Sequence, residues 1–253
     1  MQNAKMILFF LWKRLKSLPY LKKVAVYIYY FIYGTRIAVC DRSNYINIVP
    51  DNKFSFLKKD SFIINGINNQ IIIKDESKIT NTQFKINGNN NTILIDEKCY
   101  INNSCVWIES NHSQIKIGSK TSIAEATIGV AEPKSSITIG KNCMFAHDID
   151  IRCGDSHSVI DLKSGARINH TQNIVIKDSV WLAAGVKILK SITIGSGSII
   201  GAGSIVTKNI SKNSLAVGIP ALVKKTNVTW LKEKLPLENS HTDNLAKINT
   251  YHS

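Results

Sequence analysis

Three histidines fall close together in the second half of the chain: His147, His157 and His170. Imidazole titrates near neutrality, so it can take a proton from a hydroxyl and return it within one catalytic cycle. His157 has the setting such a base needs. Asp155 lies two residues before it, in the run Cys153-Gly-Asp-Ser-His157, where its carboxylate would orient the ring. A lone surface histidine is ordinarily just a solvated side chain. The assignment therefore depends on what the rest of the chain builds around it.

From Ile174 onward an apolar residue recurs every six positions: Ile176, Leu182, Ile188, Ile194, Ile200 and Val206. Four residues after each comes a second series of smaller or β-branched residues, Val180, Val186, Ile192, Ser198, Ser204 and Ile210. A period of six is neither that of an isolated amphipathic strand nor that of a helix; it is the mark of a parallel β-helix whose flat sides are one hexad long. Three hexads close a triangular coil, with Gly195, Gly201 and Gly203 at corners. Upstream the register lengthens to 22 residues: Ile71, Ile93, Ile115 and Ile137 repeat at that interval, as do Ile79, Ile101, Ile123 and Phe145. Residues 63–152 thus read as further coils of the same solenoid. The Asn-rich run Gly88-Asn-Asn-Asn91 reads as a turn.

Between Ile151 and Ile174 the repeat is interrupted, and the inserted loop 152–173 carries His157. A solenoid tolerates an insertion only at a corner, and such loops commonly carry function. The expected organisation is a basic aromatic helical segment over 1–36, a lead-in over 37–62, the β-helix over 63–218, and a C-terminal helix and tail over 219–253. The short helix is placed at Trp230–Leu235, capping the open end of the solenoid.

The net charge of +14 points to an anionic partner without choosing one. Residues 1–36 hold seven basic side chains and no acid, around the apolar runs Met6–Trp12 and Val24–Tyr33. Neither run reaches the ~18 residues that cross a bilayer. Basic residues interleaved with aromatics suit helices lying on an anionic membrane surface, or a hairpin packed on a neighbouring subunit. Five cysteines, odd in number and without a CxxC pair, indicate neither a disulfide framework nor a zinc ribbon and fit a reducing cytoplasm.

The strings IGKNCMFAHDIDIRCGDSHSVIDLKSGARINHTQNIVIKDSVWLAAGVKIL and IGSGSIIGAGSIVTKNISKNSLAVGIPALVKK resemble hexapeptide-repeat acyltransferases of the galactoside and maltose acetyltransferase type. Within that superfamily they most resemble bacterial capsular polysaccharide O-acetyltransferases, including those acting on sialic acid capsules. The resemblance covers residues 137–225 and implies a left-handed β-helix. It also implies that His157 is the catalytic base in a direct transfer from acetyl-CoA, and that Trp181 lines the site near the acetyl group. Ala183, Ala184, Ala202, Thr207, Lys208 and Lys225 match the positions that hold coenzyme A, with backbone N–H groups of Ala183-Ala184 as oxyanion donors. Two departures stand out: Ala183-Ala184 replaces the usual small polar pair, and Ser158 replaces the proline that commonly follows the histidine.

These readings predict a cytoplasmic homotrimer with intersubunit active sites, peripheral at the inner membrane face, acetylating a hydroxyl of an acidic or neutral capsular or other surface polysaccharide. No metal and no nucleic acid are expected. A γ-type carbonic anhydrase would need three histidines on the coil spacing, and His147, His157 and His170 do not fall on it. N-acetylation of a nucleotide-linked amino sugar and a non-catalytic scaffold are the remaining alternatives.

Overall fold

The computed structural model describes residues 28, 31–48, 55–171, 173–235 and 247. Their strands stack into one solenoid with three faces. Face A has eight strands, from Arg36–Val39 to Ile205–Val206; face B has seven, from Tyr45–Asn47 to Thr193–Ile194; face C has nine, from Phe56–Lys58 to Leu222–Thr226. Every pairing in faces A and B is parallel, because each coil lays its strand beside the one before. The two sequence periods are the two pairing registers. Ile71 pairs with Ile93, Ile93 with Ile115 and Ile115 with Ile137, whereas Trp181 pairs with Ile199 and Lys187 with Ile205.

Both hexad series point inward. Leu182, Ile194, Ile200 and Val206 are fully buried, and so are Val180, Val186, Ser198 and Ser204 of the second series. Each branched side chain rests on its equivalent one coil away, and burying one contributes roughly 1.5–3 kcal/mol. Phe62 stacks on Phe84 in the same manner, with ring centroids 5.0 Å apart and planes 8° from parallel.

The Asn-rich corners are a buried ladder. Asn91 donates from Nδ2 to the Ser110 carbonyl (2.7 Å) and to Asn69 Oδ1 (3.1 Å), and its own Oδ1 accepts the Ser113 N–H (2.9 Å). A buried amide satisfied on both ends holds the corner without the cost of an orphaned polar group. At Gly88 (φ 136°) a Cβ would lie 1.9 Å from the Ser110 carbonyl oxygen, so only glycine lets these turns approach.

The structure differs from expectation at both ends of the solenoid. Arg36–Val39, Tyr45–Asn47 and Phe56–Lys58 already pair with the next coil, so the stack reaches back through the stretch read as a lead-in. At the other end Trp230–Leu235 is not a helix. Ser214–Val217 and Leu222–Thr226 form an antiparallel hairpin that extends face C. The open strand edge offers backbone partners to a β-branched segment, and pairing covers it as a helix would have done. Of the basic aromatic segment only Ile28 and residues 31–36 are described, with Ile28, Phe31 and Ile32 helical; the rest of that expectation lies outside the described residues, as does the tail beyond Leu235 apart from Lys247.

Candidate active site

His157 sits on the loop that leaves face A after the strand Ile149–Cys153 and rejoins face B at Ile174–Ile176. The loop folds on itself as a small hairpin. Ile168 N–H bonds the Val159 carbonyl (2.9 Å), Asp161 N–H bonds the Ala166 carbonyl (2.9 Å), and the Asp161 carboxylate accepts the N–H groups of Lys163 and Ser164. Val159, Ile160, Leu162 and Ile168 are exposed on it.

Asn169 ties this loop together. It is 8% exposed, and its Nδ2 donates to Asp155 Oδ2 (2.8 Å) and to the His157 carbonyl (2.8 Å). Its Oδ1 accepts the Val159 N–H (3.0 Å) and Arg167 Nε–H (2.9 Å). Arg167 in turn forks onto the Glu132 carboxylate, and Lys190 donates to Asp155 and to the Asn169 carbonyl (3.3 Å). One amide therefore holds the Asp155 side chain before His157 and the backbone at His157 and Val159.

Asp155 does not orient the imidazole as its spacing suggested. Its carboxylate is engaged by Lys190 and Asn169, and the Lys190 bond, followed by that of Asn169, holds its pKa below the usual carboxylate value. The reason is geometric: the chain turns after Gly154 (φ 114°), which directs Asp155 back to the solenoid while His157 faces outward. The His157 side chain is exposed and makes no hydrogen bond among the described residues, leaving both ring nitrogens open to a substrate.

Trp181 lies on the outer side of face C, half-buried, with its ring 6.0 Å from that of Trp230. Trp230 is 5% exposed and donates from Nε1 to the Ser179 carbonyl (2.8 Å), so the segment after the hairpin packs against Trp181. Just past Trp181 the chain turns at Ala183-Ala184-Gly185, and the Gly203 N–H donates to the Ala184 carbonyl (2.8 Å), stacking Ala202-Gly203 on that turn. Of the two oxyanion donors expected, Ala183 N–H is committed to the Ile200 carbonyl (2.9 Å). Ala184 N–H has no partner among the described residues, so of the two N–H groups it is the one left open.

The residues expected to bind coenzyme A therefore fall in three places. Ala183, Ala184 and Ala202 share the corner between faces C and A; exposed Thr207 and Lys208 follow the last strand of face A, at the corner from which the His157 loop departs further up; and Lys225 is exposed on the final strand of face C. The width of face A separates the His157 corner from the Trp181–Ala184 corner, roughly 15 Å for a strand of five residues. Asn169, Lys190 and Trp230 were not anticipated. Asn169 had a local signal, a turn-forming Gly165 with Arg167 and Asn169 after it, whereas Glu132 lies 35 residues before its partner and shows no pattern.

The cysteines are free. Burial pushes the thiols of Cys99 and Cys143 up to about 12 and that of Cys153 to about 11, so none of these three is a nucleophile at neutral pH. No three His, Cys, Asp or Glu side chains among the described residues converge to hold a metal ion.

Residues 173–208 match the bacterial transferase hexapeptide family, a model of six repeats. Across the whole architecture the chain is similar to the crystal structure of the polysialic acid-specific acetyltransferase NeuO: TM-score 0.71 and 29% identity, over 87% of this chain and 97% of that one. The polysialic acid O-acetyltransferase OatWY gives TM-score 0.72 and 27% identity, over 86% and 99%. The solenoid is a left-handed β-helix, and its coils over residues 173–208 carry the hexapeptide repeat. Among relatives by sequence, the polysialic acid O-acetyltransferase of Escherichia coli O1:K1 / APEC is 36% identical over 91 residues, 36% of this chain and 30% of that protein. The galactoside O-acetyltransferase of Lactococcus lactis is 48% identical over 63 residues, 25% and 30%. These alignments span about a third of each relative's length.

Proposed function

We propose that this protein is an O-acetyltransferase that moves acetyl from acetyl-CoA to a hydroxyl of a capsular or other surface polysaccharide. The observation that carries this reading is the likeness in fold and sequence to two polysialic acid acetyltransferases over nearly the full length of both. In the proposed reaction an imidazole nitrogen of His157 accepts the acceptor hydroxyl's proton as that oxygen attacks the thioester carbonyl. The Ala184 N–H donates to the oxyanion that forms. Collapse expels the coenzyme A thiolate, which takes the proton back from His157, so neither an acyl-enzyme nor a metal is required. Holding both substrates in one site converts the attack into an intramolecular step.

His157 and Ala184 lie on different corners of one chain, so the reading places each active site between two copies, with the exposed hairpin reaching a neighbour's Trp181–Ala184 corner. The same reading makes the protein a trimer in the cytoplasm, at the inner membrane face where glycans are assembled. Incubating it with acetyl-CoA and a panel of capsular oligosaccharides tests the function: an acceptor should gain the mass of one acetyl group as free coenzyme A appears. Release of coenzyme A with no acceptor acetylated, across neutral and acidic glycans, would refute it.

A further inference from the structure

The solenoid carries a step at the corner between faces C and A. Ile123 pairs with Phe145 at an interval of 22 residues, yet Ala126, on the far side of the same corner, pairs with Ile149 at 23. Preceding coils keep 22 on both sides of it, as in Ile101–Ile123 and Val106–Ile128. One residue is therefore inserted at His147-Asp148, and the later coil keeps this wider corner, since Phe145–Leu182 and Ile151–Ile188 share one interval. A groove of about 230 Å³ lies along this corner, lined by coils on both sides of the step.

The groove is polar. Asn81, Asn103, Gln83, Thr127, Glu125 and Asp148 line it. Asn81 donates from Nδ2 to Asn103 Oδ1 (2.7 Å), which leaves the Asn103 amide N–H groups and the Asn81 carbonyl without partners among the described residues. Asp148 has no ion pair there, and the neighbour of Glu125 is His147, 3.5 Å from its carboxylate. On face A, Lys85 and Arg152 are held by Glu109 and Asp150, and Lys187 lies on the next strand, beside Asp150. Amides offering both donors and acceptors beside the carboxylates of Asp148 and Glu125 match the vicinal hydroxyls of a sugar. A carboxylate on that same sugar would face two like charges.

The groove also leads to the proposed chemistry. Gly185 N–H donates to the His147 carbonyl (3.0 Å), so the Ala184-Gly185 turn is the next coil along this corner. In face A order, Asp148 lies one coil from the Ala184 corner, Glu125 two, Asn103 three and Asn81 four, so at a strand spacing of about 4.8 Å the groove runs from roughly 5 Å to roughly 20 Å from Ala184 N–H. An oligosaccharide of a few residues spans that length, with one sugar on the groove's amides and a later one at the Ala184 corner.

Resting on the acetyltransferase reading, we infer that this groove is the acceptor subsite and that it takes an uncharged, hydroxyl-bearing sugar residue. The experiment measures acetyl transfer to an uncharged N-acetylhexosamine tetrasaccharide and to a sialic acid tetrasaccharide, by the native protein and by Asn103→Leu and Asp148→Lys. Both positions are exposed, and matching melting curves confirm that the variants fold. Asn103→Leu should raise the KM for the uncharged acceptor about tenfold with kcat and the KM for acetyl-CoA unchanged, and Asp148→Lys should shift preference toward the sialic acid acceptor. An unchanged acceptor KM in Asn103→Leu, or a preference of the native protein for the sialic acid acceptor, overturns the subsite. Should the native protein transfer acetyl to neither, the acetyltransferase reading fails instead. Calorimetric titration with the uncharged tetrasaccharide alone then decides the groove: binding lost in Asn103→Leu supports it, and binding absent from the native protein or equal in both overturns it.

Discussion

At the scale of single residues, the candidate base is an unencumbered imidazole held by its backbone. His157→Ala should lower acetyl transfer by at least about a hundredfold while coenzyme A binding, followed calorimetrically, is retained. Asn169 offers a complementary test, because its side chain fixes the loop on both sides of His157 without touching the ring. Asn169→Ala removes bonds worth about 1 kcal/mol apiece from a surface hairpin rather than from the core. Cleavage within 155–170 by a protease should therefore quicken and kcat should fall, with the global melting temperature nearly unchanged. Retained kcat in a loop that has become protease-sensitive would show that the loop's order is irrelevant to turnover.

At the scale of elements, the corners decide stability, and one of them carries a buried acid. Asp60 is 1% exposed and accepts N–H bonds from Lys58 and Thr82 (2.8 Å each), yet burial outweighs these bonds and pushes its pKa up to about 7. Unfolded, the same group titrates near 4. Below about pH 4 both states are protonated. Between about 4 and 7 the unfolded chain is ionised while the folded one still binds the proton, so stability falls as pH rises, by on the order of 4 kcal/mol in all. Above about 7 the loss is complete. The equivalent positions one and two coils on are Thr82 and Ser104, and Ser104 Oγ accepts the next coil's N–H at Ala126 (3.1 Å). Asp60→Ser should therefore flatten the decline in urea-unfolding free energy between pH 5 and 8. An equally steep decline in that variant would assign it to other groups. Gly88→Ala should prove severely destabilising in the same assay, since its methyl would collide with the Ser110 carbonyl.

At the scale of the whole molecule, the proposed assembly makes a prediction that no single-chain site shares. Co-expressing His157→Ala with a Trp181→Ala variant should restore activity, because a mixed trimer contains interfaces with one intact half from each chain. Sedimentation of the native protein should give three times 28.2 kDa. Continued inactivity of well-formed mixed trimers would place both residues in a site built by one chain. The exposed Leu162 and Ile168 of the hairpin belong to the same argument, being apolar groups that a neighbour would cover.

How much of this was legible in the sequence follows from the range of the forces involved. The inward ladder of a β-helix is a one-dimensional pattern, since each side chain stacks on its equivalent a fixed number of residues away; Ile71 to Ile137 and Ile176 to Val206 show it directly, and with it the faces, the pairing registers and the inserted loop. The resemblance of residues 137–225 singled out His157, Trp181 and the Ala183-Ala184 turn. Other features depended on contacts between parts with no fixed spacing. Asp155 turned to Lys190, Arg167 found Glu132, Trp230 folded onto Trp181, and the chain after Val217 met an open strand edge and paired with it antiparallel instead of coiling. Repetition along the chain thus determined the solenoid by itself, whereas hydrogen bonds and packing between non-repeating segments, which exist only once the coils are stacked, decided how the loop is held and how the end is closed.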